Sequence, residues 1–178
     1  MSGSTKKFMS YKDFLEKSTR PVVRPRIWKG KEIKEQLYGS EASLSEGRGA
    51  VSLVNEDTGD AYGITPDING IVQVLKPGER NNPHRHSNMA IFVVFEGEGY
   101  SIIEGEKIEW EKGDVFFAPA WLEHEHCNTS DHEDAVLYTF QDVSNLSRTG
   151  AWFLEEPVGS GPVRVVAGTD KSDIIPEK

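Results

Sequence analysis

Apolar and polar positions alternate in short runs through the middle of the chain, and that rhythm predicts β-strands. The segments "GAVSLVN" (49–55), "INGIVQVLK" (68–76), "AIFVVFEG" (90–97), "GYSIIEG" (99–105), "EKIEW" (106–110), "GDVFFAP" (113–119) and "DAVLYTFQDV" (134–143) are short and rich in β-branched and aromatic residues. Gly, Pro, Asn and Asp separate them. Many short strands at regular spacing predict a β-sandwich or barrel. Strand parity places Ile71, Gln73 and Leu75 on one face, and likewise Ala90, Phe92 and Val94. "IIEGEKIEW" reads as a hairpin with Gly105 in its turn.

Ahead of the strands the period changes. "MSYKDFLEKS" (9–18) predicts a short amphipathic helix with Met9, Phe14 and Leu15 on one face and Ser10 as its N-cap. "RPVVRPRIW" (20–28) has two prolines and reads as extended chain. "GKEIKEQLYG" (30–39) predicts a second helix stopped by Gly39. Neither is long enough to be stable alone. The end of the chain, "PVGSGPVRVVAGTDKSDIIPEK", is rich in Gly and Pro; it reads as partly disordered, or as supplying "VRVV" as a strand to a partner subunit. The expected division is an N-terminal arm over 1–45, a β-barrel over 46–157 and a tail over 158–178.

Composition narrows the function classes. At 178 residues the chain can bury one core. Its net charge of −9 repels phosphate backbones, which argues against a nucleic-acid partner. The single Cys127 makes no internal disulfide, as expected in a reducing cytoplasm. The N-terminus "MSGSTKKFMS" lacks the apolar core of a signal peptide, and no apolar run approaches the ~20 residues of a membrane helix. A soluble cytoplasmic protein with no membrane contact is the expectation.

The chemistry concentrates in histidine. Four of the five histidines form two i, i+2 pairs, His84/His86 and His124/His126. Residues two apart on a strand point to the same face, so each pair can aim both imidazoles at one point, as two ligands of one metal must. Pro83 stiffens the approach to the first pair and Gly78 frees the turn before it. His126 is open to three roles: a base standing behind the ligands, a fourth ligand, or an outward surface residue. Asp114 reads as a turn cap, Cys127 as packed away from His126, and Glu123 and Glu125 as solvated. There is no nucleophile elbow, phosphate loop or CxxC motif.

The residues around both pairs resemble the two motifs of the cupin superfamily. Gly78, His84, His86 and Gly97 fall on the first motif. Gly113, Pro119, His124 and Asn128 fall on the second, with Trp121 replacing its middle glycine. The resemblance implies an all-β fold, the double-stranded β-helix or jelly-roll barrel, with short N-terminal helices and a metal bound by His84, His86 and His124. The Glu of the first motif is absent; Ala90 and Ile91 stand at its place. Three neutral nitrogen ligands suit Fe, Ni, Cu, Co or Zn better than Mg or Ca.

Within that superfamily, "LKPGERNNPHRHSNMAIFVVFEGEGY" and "GDVFFAPAWLEHEHCN" resemble the gentisate 1,2-dioxygenase group. That group implies Fe(II) held by three histidines, with Mn, Ni or Zn as alternatives. The expected partners are dioxygen and a small hydroxylated aromatic whose ring is opened. By position, Gln73, Arg48 and Trp121 would lie near the substrate with Phe92, and His126, Gln73 and Arg48 would assist catalysis. Phe92 stands where that group carries an Arg for the substrate carboxylate. A phenol or hydroquinone without a carboxylate, or one bound by Arg48, fits better. The group usually has two cupins per chain, so a homodimer or larger assembly is expected here. The rival readings are a metal-cupin lyase, isomerase or thiol dioxygenase, and a non-enzymatic cupin that binds a small molecule.

Overall fold

The computed structural model of the protein describes residues 7–19, 22–39, 49–61, 63–157, 163–167 and 174–176. Two short helices, α1 (Tyr11–Ser18) and α2 (Gly30–Leu37), precede β1 (Gly49–Leu53). A 3-10 turn over Glu56–Ala61 leads to β2 (Asn69–Leu75), β3 (Arg85–His86), β4 (Ala90–Glu96), β5 (Glu98–Ile103), β6 (Glu106–Glu111) and β7 (Val115–Ala118). Then come β8 (His124–Asn128), β9 (Ala135–Gln141), α3 (Val143–Arg148), β10 (Phe153–Pro157), β11 (Val163–Ala167) and β12 (Ile174–Pro176). The sheets are a five-stranded β1-β2-β9-β4-β7, a three-stranded β6-β5-β8 and a four-stranded β12-β11-β10-β3. This is the all-β jelly-roll expected from the motifs.

The main core lies between the five- and three-stranded sheets. Leu75, Ala90, Phe92, Val94 and Leu137 come from the first, and Ile103 and Trp110 from the second. They lie on the strand face that parity predicts. The alternate residues of β2, Val72 and Val74, face outward and pack with Val136 under Ile33 and Leu37 of α2. This second cluster is why α2 holds: its two apolar residues find a sheet face, which an eight-residue helix needs. In α1, Ser10 Oγ accepts the Asp13 N–H at 3.1 Å, as the N-cap reading requires, but no residue of this helix is buried.

Local turn chemistry sets the hairpins. The β5–β6 turn holds Glu104 and Gly105, both at positive φ (48° and 84°), as a two-residue turn matched to strand twist demands. Gly97 (φ 84°) follows the register shift between Val94 and Glu96; a Cβ there would meet Ala135 Cα at 2.7 Å.

Several elements lie outside the apolar segments read as strands, the 3-10 turn over Glu56–Ala61 and β12 among them. β8 reads "HEHCN", whose inward positions are histidines rather than aliphatic residues. β10, "FLEEP", is held by pairing with β3 and β11. α3 is a single polar-faced turn and a half, "VSNLSR", with only Ser144 buried. Val163–Ala167, considered above as a strand for a partner, pairs antiparallel with β10 of its own chain. No helix among the described residues is long and apolar enough to cross a membrane.

Candidate metal centre

The segment before β3 runs alongside β8. A turn at Lys76–Glu79, closed by Glu79 N–H to Lys76 carbonyl at 2.9 Å, carries Pro77 and a positive-φ Gly78 (69°) at its centre. From there the Asn128, Asn81 and His84 N–H groups donate across to the carbonyls of Glu79, His126 and His124. His124 N–H returns the bond to His84 at 2.8 Å, so the two histidines face each other across an antiparallel bridge. Asn128, the motif asparagine, spans this junction: its amide donates to the carbonyls of Leu75, Lys76 and Glu133.

That pairing brings three imidazoles together. The ligand atoms of His84, His86 and His124 lie within 4.8 Å of one another, and all three side chains are buried. Each Nδ1 lies 2.8–2.9 Å from a backbone carbonyl two residues away: Asn82 for His84, Asn88 for His86 and Leu122 for His124. A carbonyl accepts only, so each Nδ1 carries the proton and each Nε2 keeps its lone pair. This is how proteins orient histidine for metal ligation. The trio therefore fits a divalent transition metal in both donor type and tautomer. Among the described residues no carboxylate joins it. Ala90, at the place of the motif glutamate, is fully buried and pairs across from Ala118.

His126 shares the inward face but is wired differently. It is buried, which rules out the surface role. Its Nδ1 lies 2.7 Å from Ser101 Oγ, and Ser101 Oγ also accepts the Trp110 indole N–H at 2.9 Å. With Trp110 able only to donate, the serine proton goes to His126 Nδ1, and the His126 proton sits on Nε2. His126 is thus set as a hydrogen-bond donor, the reverse of its three neighbours.

The remaining residues singled out from sequence divide by location. Phe92 lies inside, stacked on Phe116 at 4.7 Å between centroids and 7° between planes, and 4.6 Å from the His126 ring. Gln73 lies on the same inward face, and its buried Nε2 has no partner among the described residues. Arg48 falls outside the described residues. Trp121 does not join the histidines through any described contact. Its indole is 41% exposed and lies under the Arg85 guanidinium at 4.9 Å. Its φ of 68° accounts for the glycine that the motif carries there. Its backbone N–H still serves the site, donating to the His86 carbonyl at 2.7 Å.

The arginines flanking these histidines point away from them. Arg85 pairs with Glu155, a contact that raises its pKa, and Arg80 pairs with Glu125. Glu125, read above as solvated, is 5% exposed; it lies on the outward face of β8 under Arg80. Asp114 caps its turn as expected, accepting the Glu111 N–H.

Two positioning residues were missed. Asn88 is 1% exposed; its amide donates to Gln141 Oε1 at 3.0 Å, its Oδ1 accepts the Trp152 indole N–H at 2.8 Å, and its carbonyl orients His86. Ser101, fully buried, holds the His126 ring through its Nδ1. Both are small polar residues in apolar surroundings, and that contrast was the available signal.

Comparison with known proteins agrees with this site. Residues 71–140 match a cupin domain family model. The chain is 31% identical over 164 residues to a 5-nitrosalicylic acid 1,2-dioxygenase of Bradyrhizobium sp, covering 89% of this chain and 79% of that protein. It is 32% identical to a gentisate 1,2-dioxygenase of Streptomyces sp, covering 78% of this chain but 40% of that one. The crystal structure of a salicylate 1,2-dioxygenase from Pseudaminobacter salicylatoxidans superposes with a TM-score of 0.68 at 25% identity, over 84% of this chain and 48% of that one. The chain thus spans most of the first relative and less than half of the other two. From the histidine motifs, the jelly-roll and these relatives together, the chain belongs to the cupin superfamily and resembles its gentisate and salicylate 1,2-dioxygenase group.

Proposed function

We propose that this chain is a non-haem Fe(II) dioxygenase that opens the ring of a hydroxylated aromatic compound. The observation that carries the reading is the shared tautomer of His84, His86 and His124, three convergent Nε2 lone pairs with no carboxylate beside them among the described residues. Iron bound there would supply the Lewis acidity that ionises a phenol and the redox capacity that activates dioxygen.

The protein's own part is binding, orientation and exclusion of water. Phe92 and Phe116 form an apolar wall against which an aromatic ring can stack. His126 offers its Nε2–H to a developing negative charge on a substrate oxygen, with Ser101 and Trp110 holding the ring in that state. The unpartnered Gln73 amide offers two more donors to an oxygen substituent. Phe92 cannot clamp a carboxylate as an arginine does. The substrate class favoured is therefore a phenol or hydroquinone whose ring carries uncharged oxygen or nitrogen substituents, with Arg48 the residue to examine if a carboxylate is accepted. Soluble expression and a second copy of the chain in the assembly remain part of the reading.

The test is oxygen uptake by the anaerobically purified, Fe(II)-loaded protein with hydroquinones, aminophenols, gentisate and salicylate. One dioxygen consumed per ring opened, fastest without a carboxylate, is the expected result. Turnover without oxygen would turn the assignment to a lyase or isomerase. Ligand binding with no turnover would turn it to a binding cupin.

A further inference from the structure

Two apolar surfaces of this chain lack a partner among the described residues, and they match. The first is α1. Phe8, Tyr11 and Phe14 follow one another at three-residue spacing, with Met9 and Leu15 beside them; all are 48–87% exposed. The second is the outward face of β4 and β7 at the end of the five-stranded sheet. Ile91 pairs directly across from Phe117, and Val115 and Phe95 extend the patch, each 37–63% exposed. The same sheet face over β1, β2 and β9 is already covered by α2. The bare part continues into an apolar groove of about 150 Å³ between α2 and Phe95, Val136 and Tyr138. An aromatic side chain laid on the patch can enter that groove.

Charge points the same way. Residues 1–29 hold eight basic and two acidic side chains, a net +6, so the remaining 149 residues carry −15. The patch itself is flanked by acid: Asp114 precedes Val115, and Glu96 follows Phe95. The helix itself is neutral, Lys12 and Lys17 being balanced by Asp13 and Glu16, and Arg24 and Arg26 are paired with Asp57 and Glu56; the basic side chains left to meet the acid beside the patch are Lys6, Lys7 and Arg20, on either side of α1.

The arm's root decides whose face it meets. Arg24 is pinned to Asp57 through its backbone N–H and its guanidinium, and the Trp28 indole donates to the Val54 carbonyl. These contacts fix the arm beyond β1, at the opposite edge of the sheet from β7. On its own subunit, α2 stands between that root and the patch.

We propose that α1 of one copy docks on the outward β4–β7 face of a second copy, so that two chains exchange arms about a two-fold axis. Five aromatic side chains per copy, each giving up about half of the ~150–250 Å² an aromatic buries, with the smaller shares of Met9, Leu15, Ile91 and Val115, amount to roughly 1,500 Å² in the pair, within the ~1,200–2,000 Å² of a specific interface. The proposal is independent of the reaction catalysed.

Light scattering and sedimentation on the full-length, iron-loaded protein test it, using Phe14→Asp on the arm and Phe117→Asp on the patch. Both positions are half exposed, so the fold and the iron content stay intact. The expected result is a dimer of the 19.9 kDa chain, at least tenfold weakened in each variant. Mixing the two variants restores association, because one intact arm meets one intact patch. A monomeric wild type, including one whose arm instead binds anionic vesicles, overturns the proposal. So does a Phe14→Asp protein that stays dimeric, or a mixture that fails to associate. Should a variant misfold, a photo-cross-linker at position 14 in a mixture of light and isotope-labelled chains decides. Cross-links to β7 of the other isotope support exchange, and cross-links only within one chain refute it.

Discussion

Ser101→Ala removes one oxygen from the centre of the Trp110–Ser101–His126 chain. Ser101 is fully buried on β5. Its loss deprives the Trp110 indole N–H of its acceptor and His126 Nδ1 of its donor, at 2.9 and 2.7 Å. Each orphaned buried group costs about 1–3 kcal/mol, so the pair costs about 2–5 kcal/mol after some relaxation. In a chain of this size about 2–4 °C of Tm accompanies each kcal/mol, giving a drop of roughly 5–15 °C. Circular dichroism of the iron-loaded protein during heating measures it. The same change releases the His126 ring to either tautomer, so kcat falls about tenfold or more, the scale of losing one oriented donor. Iron stoichiometry stays near one per chain, because His126 stands outside the ligand trio. Ser101→Thr keeps the hydroxyl and recovers kcat. An unchanged Tm and kcat would refute the chain of hydrogen bonds. Loss of iron would show His126 to be a ligand and refute its assigned tautomer.

Further outcomes follow from the same geometry. His124→Ala abolishes iron binding and turnover together, read by metal analysis and oxygen uptake; retained iron would remove the trio from the mechanism. Phe92→Arg places a guanidinium beside the His126 ring: KM for gentisate falls against that for hydroquinone, while the lost stack on Phe116 costs roughly 3 kcal/mol of stability in urea unfolding. Asn88→Ala orphans Gln141 Oε1 and the Trp152 N–H, and lowers iron affinity about 10–100-fold through a misaligned His86. Competition with a calibrated chelator checks that figure. Asp57 is held down to about 2 by its hydrogen bonds to Arg24. Its folded pKa is depressed, so the anchoring of the arm is complete above the unfolded value near 4 and is lost as pH falls from there through about 2. An NMR titration of the Asp57 carboxyl with a midpoint near 4 would contradict this.

Much of the site is legible along the chain because strand geometry is local. Parity alone puts Gln73 with Leu75, Phe92 with Ala90, and His84 with His86, since successive Cβ atoms alternate across a pleat. The β5–β6 turn follows from Gly105, and the Lys76–Glu79 turn from Pro77 and Gly78, because these residues restrict or release φ wherever they stand. The two histidine pairs follow from spacing. What parity cannot supply is the residue opposite, which depends on register between segments far apart in sequence. His124 and His126 have the same spacing, the same face and nearly the same burial. One becomes a lone-pair donor because the Leu122 carbonyl meets its Nδ1, and the other a proton donor because Ser101, on a neighbouring strand, meets its own. Trp121 turns outward under Arg85, and Glu125 is buried under Arg80, for the same reason. The sequence by itself determined the seven apolar strands, their inward faces and the two histidine pairs. The tertiary structure alone decided which nitrogen of each carries the proton, because that is set by whichever donor or acceptor the fold brings alongside.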